Sequence, residues 1–338
     1  MLTSLLVLQL VTSSSSGDPF AFFQPSANIT ADERRQLDRG EPLARILPAK
    51  DMEVAVLAAV PVNIDGDRLV AWMRRIEELK KSSYVLAIRR FSDPPRIEDL
   101  ASLTLDDEDL SQLKDCRPRH CGLKLSAAEI EGFQRAAAIA GPHWKSVLQD
   151  RFRQTVLDRA NAYLSTGAIG PYDDHGDEVW PGREFDRLVD QSAFLARLPA
   201  LADSLRGGQP SPDVESFLYW SRERLASRAI VSVTQVQIIR GRDATLPDVL
   251  VAGKEIFSTH YINASLGITT LMRGAPGGPN YLVYVNRSEV DVLHGMFAGI
   301  VRWVLQRRLK SEAAGVLEGL RRRLEGGPPP ERSLIARQ

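Results

Sequence analysis

Cysteine is almost missing from this chain of 338 residues: there are two, Cys116 and Cys121, both within "DCRPRHCGLKLS" over 115–126. With His120 they offer three metal donors where zinc needs about four, and adjacent His120 and Cys121 cannot easily reach one ion. The spacings C-x-x-C and C-x-x-C-H are absent, which removes thioredoxin-like redox chemistry and haem attachment. Net charge is also absent, with 43 Lys and Arg against 43 Asp and Glu. The chain as a whole therefore has no attraction for nucleic acid or for an anionic membrane, although Arg321-Arg322-Arg323 is a candidate local contact. No apolar run reaches the length of a membrane-spanning helix. The nucleophile elbow G-x-S-x-G and the phosphate-binding patterns G-x-x-x-x-G-K-[ST] and G-x-G-x-x-G are missing as well. Nothing here calls for a cofactor or assigns a catalytic residue.

What is present is the composition of a folded protein, 43% hydrophobic and 25% charged. The first residues, "MLTSLLVLQLVTSSSSGDPF", hold a short apolar run from Leu5 to Val11 followed by small residues. They resemble a secretory signal, without its basic start, over about 1–18. The expected domain is 19–330, with a tail at 331–338.

Along that domain, "PLARILP" and "EVAVLAAVPV" read as strands. "DGDRLVAWMRRIEELKK" carries Leu69, Met73, Ile76 and Leu79 at helical spacing, with Asp65 or Asp67 as its cap. "SSYVLAIRRFSDPP" is a further strand ended by Pro94 and Pro95, and "LASLTLDDEDL" a short alternating run. Ser126 and Glu129 form a capping box before a helix. The middle, about 126–228, reads as largely helical, including "VESFLYWSRERLA". "IVSVTQVQIIR" and the long run from Val249 to Arg273 return to β-rich composition, with a bend expected at Asn263 to Gly267. "YLVYVN" is the returning strand. Ser288 with Asp291 then predicts the start of a long helix whose apolar face is Leu293, Met296, Phe297, Ile300, Val304 and Leu305.

Strands, a helix, more strands, and finally long antiparallel strands before a C-terminal helix: the order resembles the START-like helix-grip superfamily. The residues that carry the resemblance are "GEPLARIL" and "EVAVLAAVPV" before "DGDRLVAWM", and 249–305. The resemblance implies an α+β fold in which a curved antiparallel sheet grips the last helix, with 126–228 as a helical insertion. It also implies an apolar cavity between sheet and helix that holds a lipid or other hydrophobic small molecule without catalysis. A structural or protein-interaction role in the envelope, or a cyclase- or hydrolase-like use of the same cavity, are the other readings.

Five residues are candidates for lining that space. His260, Tyr261 and Asn263 lie in one predicted strand, where alternation separates His260 from the other two. Trp220 is placed on a predicted helix and Tyr284 on the returning strand. The acidic stretch "PYDDHGDEVW" over 171–180 has the oxygen donors but not the spacing of a calcium loop, so no metal is expected. No nucleic-acid partner is expected; peripheral membrane contact is.

A local disulfide between Cys116 and Cys121 is the simplest reading of the cysteine loop, with two free thiols as the other. Closing so short a ring contributes about 2 kcal/mol, and such a bond lasts in an oxidising compartment, in keeping with a periplasmic or secreted protein. The expected result is that protein alkylated without reductant keeps both cysteines unlabelled, and that reduction adds two labels by mass. Labelling of both without reductant contradicts the disulfide.

Overall fold

The computed structural model describes residues 18–49, 52–208, 213–225, 228–243, 245–293 and 298–327, with side chains in the last helix from Glu312 onward. The signal-like segment lies outside them, as do Met296 and Phe297 of the expected helix face; Ile300, Val304 and Leu305 belong to the last helix ahead of its described side chains.

In chain order the first elements are α1 (Ala31–Asp38), β1 (Leu43–Leu47), β2 (Glu53–Val62), α2 (Gly66–Met73), α3 (Ile76–Leu79) and β3 (Val85–Arg90). Then come α4 (Asp107–Asp115), α5 (Ala127–Ala140), α6 (Trp144–Thr166), β4 (Tyr172–Asp174), β5 (Asp177–Val179), α7 (Pro181–Gln191) and α8 (Pro199–Leu205). The last group is β6 (Glu215–Leu225), β7 (Arg228–Arg240), β8 (Val249–Ser258), β9 (Ile262–Met272), β10 (Asn280–Val290) and α9 (Ala298–Glu325).

The fold is α+β. Eight strands form one antiparallel sheet in the order β1-β2-β10-β9-β8-β7-β6-β3. Residues 91–214, between β3 and β6, supply most of the remaining helices.

Each face of the sheet is covered by a different group of elements. On one, Leu218, Trp220, Val231, Val233, Ile256 and Phe257 pack under α4, α5 and α6 through Leu113, Phe133, Phe152 and Val156. Beside them Leu57, Leu266, Ile268 and Val283 meet α7 and the segment holding Phe20, Phe22 and Phe23. On the other face Val60, Val62, Val236, Val251, Leu271 and Leu282 pack against Leu69, Trp72 and Met73 of α2 and Leu317 and Leu324 of α9. That helix reaches both edges of the sheet. Tyr84, just before β3, donates to Glu312 at 3.2 Å, and Arg321 donates to the Gly40 carbonyl, just before β1, at 3.0 Å.

Several expected elements stand. Asp65 caps α2, its carboxylate accepting from the Arg68 amide at 2.8 Å. Ser126 and Glu129 close the capping box. The disulfide joins Cys116 and Cys121, with Cα atoms 4.6 Å apart.

Others are corrected. "ESFLYWSRERL" is strand β6, not helix: Phe217 and Tyr219 face α2 while Leu218 and Trp220 face the insertion. A strand buried on both faces has no polar alternation to distinguish it from a buried helix. The helical insertion consequently ends before 215 and begins sooner than 126, because Asp106 caps α4 by accepting from the Asp109 amide; "LASLTLDDEDL" forms no strand. The bend expected at Asn263 to Gly267 falls at 259–261, where Tyr261 has φ +61°. Ser288 continues the ladder of β10 opposite Val54 and donates to Asn286 at 2.8 Å, so it caps no helix.

One buried cation sits under the insertion. Lys254 lies between the rings of Tyr163 and Phe185, 5.0 and 4.8 Å from their centres, and donates to the Leu205 carbonyl at 2.7 Å. Burial lowers its pKa to about 8 against the opposing pull of Asp186, while the unfolded chain keeps the proton to about pH 10.4. The unfolded state thus binds more protons in that window, and stability rises with pH across it. Lys254→Met removes the desolvation cost but leaves the Leu205 carbonyl unpaired. It should be more stable than wild type by about 2 kcal/mol at neutral pH, with the gap closing as pH rises through that window, in urea unfolding. A constant gap contradicts a charged buried amine.

Candidate functional site

The face crossed by α9 has two halves. In the half under α2 every central position is buried. In the other half the same face turns half-exposed: Val54, Val56, Thr234, Gly253, Glu255, Ser265, Gly267, Thr269, Asn286 and Ser288. Cross-strand partners carry side chains on the same side of a sheet. The pairings Thr234↔Glu255, Gly253↔Gly267, Gly267↔Asn286 and Tyr284↔Thr269 make these residues one continuous floor.

Tyr284 is the clearest sign that this floor is open. It stands on a central strand with Leu282 buried two residues before it, yet it is 37% exposed. Its ring lies over Gly267, where a Cβ would come within 3.4 Å of it. Over Gly253, by contrast, a Cβ would meet only ordinary contacts, 3.7 Å to Thr234 and 3.8 Å to the Gly267 carbonyl. Gly267 makes room for the Tyr284 ring, and Gly253, paired with it across the strands, leaves its side-chain volume open, forming a trough.

Titratable groups gather at one side of it. Lys80, at the end of α3, donates to Glu223 at 2.6 Å and to the Tyr219 hydroxyl at 3.2 Å. Burial pulls the lysine pKa down, but Tyr219 and Glu223 raise it above the ordinary value. Glu223 is held below the usual carboxylate range by Lys80, against its own burial. Glu255 differs: burial, reinforced by the Glu223 charge, pushes it up to about 8, against Lys80 and the Ser232 and Ser258 hydroxyls. Its Oε1 has no hydrogen-bond partner among the described residues.

Beyond Glu255 the sheet splits. The β8–β9 ladder ends at Lys254↔Leu266; past it β8 follows β7 across a bulge, and β9 follows β10. The slot between them encloses about 20 Å³, lined by Glu255, Ser258, Ile262 and Asn263, with Lys124, Arg159 and Tyr172 across it. That is room for one water molecule. Lys124 is buried and donates to Asn263 at 2.5 Å, Asp291 at 2.8 Å and Tyr172 at 3.2 Å.

A larger cleft, about 260 Å³, opens between the insertion and the sheet beside Phe91, Tyr163, Ser204, Ser216 and Gln235. Its buried polar groups satisfy one another: Tyr163 donates to Gln235 at 2.6 Å and Gln235 to Ser216 at 3.1 Å.

The five candidate lining residues fall in four places. Tyr284 alone lies on the trough floor. Trp220 is fully buried under the insertion and donates to the Asp99 carbonyl at 2.9 Å. His260 is buried, with its ring nitrogens 2.9 Å from the Gly122 carbonyl and 3.0 Å from Asp109, where it ties the cysteine loop to the β8–β9 turn. Asn263 accepts from Lys124 and Tyr172, and Tyr261 occupies the turn. "PYDDHGDEVW" contains the hairpin β4–β5, which docks on the cysteine loop through Asp173, the acceptor for the Arg119 amide at 2.7 Å. No group of residues able to hold a metal occurs among those described.

Lys80, Glu223, Glu255 and Gly253 were not singled out in the sequence, and Gly267 only as the end of an expected bend. The available signal was a glutamate and two glycines interrupting strands otherwise rich in Val, Ile and Leu, where such residues mark close approach or open space.

No protein-family model matches the chain, and no curated protein matches it. Among solved structures it is similar to the crystal structure of TTHA0849 from Thermus thermophilus, at 12% identity and a TM-score of 0.24, over 46% of this chain and 91% of that one. A likeness this slight carries no argument.

The raised pKa of Glu255 has a definite sign. The folded state keeps the proton to about pH 8, while an unfolded glutamate loses it near 4.3. The stabilisation is full below the lower value and lost as pH rises through the upper one. Wild type should therefore lose stability relative to Glu255→Gln between about pH 4.5 and about pH 8. A protonated-carboxyl stretch present at neutral pH in wild type and missing from the variant, in infrared difference spectra, is the direct check. Parallel pH profiles contradict the assignment.

Proposed function

We propose that this protein binds a small amphipathic organic molecule, a lipid or comparable compound, in the trough between the sheet and α9, without transforming it. The observation that carries the reading is Tyr284, solvent-reached at the centre of a face on which its strand neighbour Leu282 is buried. Strand order supports a START-like helix-grip arrangement: β2-β10-β9-β8-β7-β6-β3 forms the gripping sheet, with β1 added at its edge and α9 touching both ends.

The floor is not uniformly apolar. Ser265, Asn286 and Ser288 bond one another, but Thr234, Thr269 and Glu255 would each lose water to a pure hydrocarbon without gaining a partner, at about 1–3 kcal/mol per buried unsatisfied group. A ligand with one polar end suits the surface better, its apolar part lying along Val54 and Val56. The disulfide supports an exported protein that meets its ligand in the cell envelope.

Gly253→Val tests the reading, because a branched side chain there fills the trough and suits a strand. Dodecanol binding by titration calorimetry should weaken at least about tenfold, equivalent to about 1.4 kcal/mol, with thermal unfolding unchanged or raised. Unchanged binding in the variant counts against the trough as the site, and no uptake by wild type counts against binding altogether.

A further inference from the structure

The polar side of the trough specifies what kind of head a bound amphiphile carries. Lys80 is already neutralised by Glu223 at 2.6 Å and further occupied by Tyr219, leaving no spare positive charge for an anionic head. Glu223 accepts from Lys80 and from the Ser221 hydroxyl at 2.7 Å, leaving it committed against a cationic one. The remaining acid, Glu255, stands beside both, with the Ser232 and Ser258 hydroxyls as its neighbours and Oε1 unpartnered. Among the described residues an added charge would lose its hydration without a free counter-charge, which costs far more than burying a neutral polar group.

From this arrangement, and resting on the trough as binding site, we infer that the ligand presents an uncharged hydrogen-bond acceptor, a ketone, ester or amide carbonyl, to the protonated carboxyl of Glu255. The carboxyl sits on the floor where β8 leaves β9, with its Oε1 buried and unpartnered. Burial beside Glu223 keeps the proton on Glu255 up to about pH 8. Above that value the group turns from donor to acceptor, and a carbonyl loses its partner. Among the described residues the charged and titratable groups facing Glu255 are Glu223 and Lys80 on one side and, across the slot, Lys124, which is paired with Asp291, Arg159, which is paired with Glu129, and Tyr172; Tyr219 and Tyr284 face the Lys80–Glu223 pair.

The test uses the full chain and four probes of one chain length: dodecanone, dodecanol, dodecanoate and dodecylammonium. At pH about 6.5, dodecanone and dodecanol should bind at least about tenfold tighter than either charged probe. Raised to about pH 9.5, wild type should lose about tenfold in affinity for dodecanone, which only accepts, and little for dodecanol, which donates to a carboxylate. Glu255→Gln, whose amide donates at every pH, should bind dodecanone with no such loss. The wild-type profile stands alone should the variant fold poorly.

Dodecanoate binding as tightly as dodecanone at the lower pH overturns the neutral-head inference. Dodecanone affinity that is flat with pH overturns the role of Glu255. Both results leave the trough as a binding site, whereas failure of every probe to bind overturns the site itself and the inference with it.

Discussion

A sheet of eight strands has two faces, and in this protein both have to be covered. That requirement organises the rest of the chain. The insertion at 91–214 exists structurally as a lid on one face, where Phe133, Phe152 and Val156 meet Leu218, Trp220 and Val231. The first described residues, Phe20, Phe22 and Phe23, finish the cover. The opposite face is left to α2, the short α3 and α9, and these do not cover eight strands. Where α2 ends, the described covering side chains end with it, and the central strands switch from Val and Leu to Gly, Thr, Ser and Glu.

That switch is what makes the trough. Gly253 and Gly267 face one another across β8 and β9, removing two side chains from the middle of the sheet. Tyr284 lies down over one of them. The polar groups around them are tolerated because water reaches the floor or because each finds a partner, as Lys80 finds Glu223. Glu255 is the exception. Its partner oxygen is unfilled and its proton is retained, as expected for an acid that burial disfavours as an anion. Among the described residues the site is therefore a gap in coverage lined by residues suited to it.

Much of the framework was legible in the sequence, where local signals and final structure agree. Asp65, Ser126 and Glu129 announced helix starts through their own hydrogen bonds, and β2, β7 and β10 through composition. Misread elements share one cause. In β6, Phe217, Leu218, Tyr219 and Trp220 are apolar in succession because both faces are buried, which erases the period that separates strand from helix. Ser288 and Asp291 have the form of a capping box, but pairing with β2 and β9 outweighs a local cap. Lys80 and Glu223 lie 143 residues apart, so only the sheet's register brings them together. No spacing rule in a single sequence reports that.

The central claim is that the space over Gly253, Gly267 and Tyr284 is open to a ligand with a neutral polar end. A crystal structure of the full chain grown with dodecanone tests it most directly. The account predicts density for one extended molecule between the sheet and α9, its oxygen within hydrogen-bond distance of Glu255 and its chain over Val54 and Val56. Side chains of α9 filling that space, with the Tyr284 ring shielded from solvent and no ligand present, would contradict it.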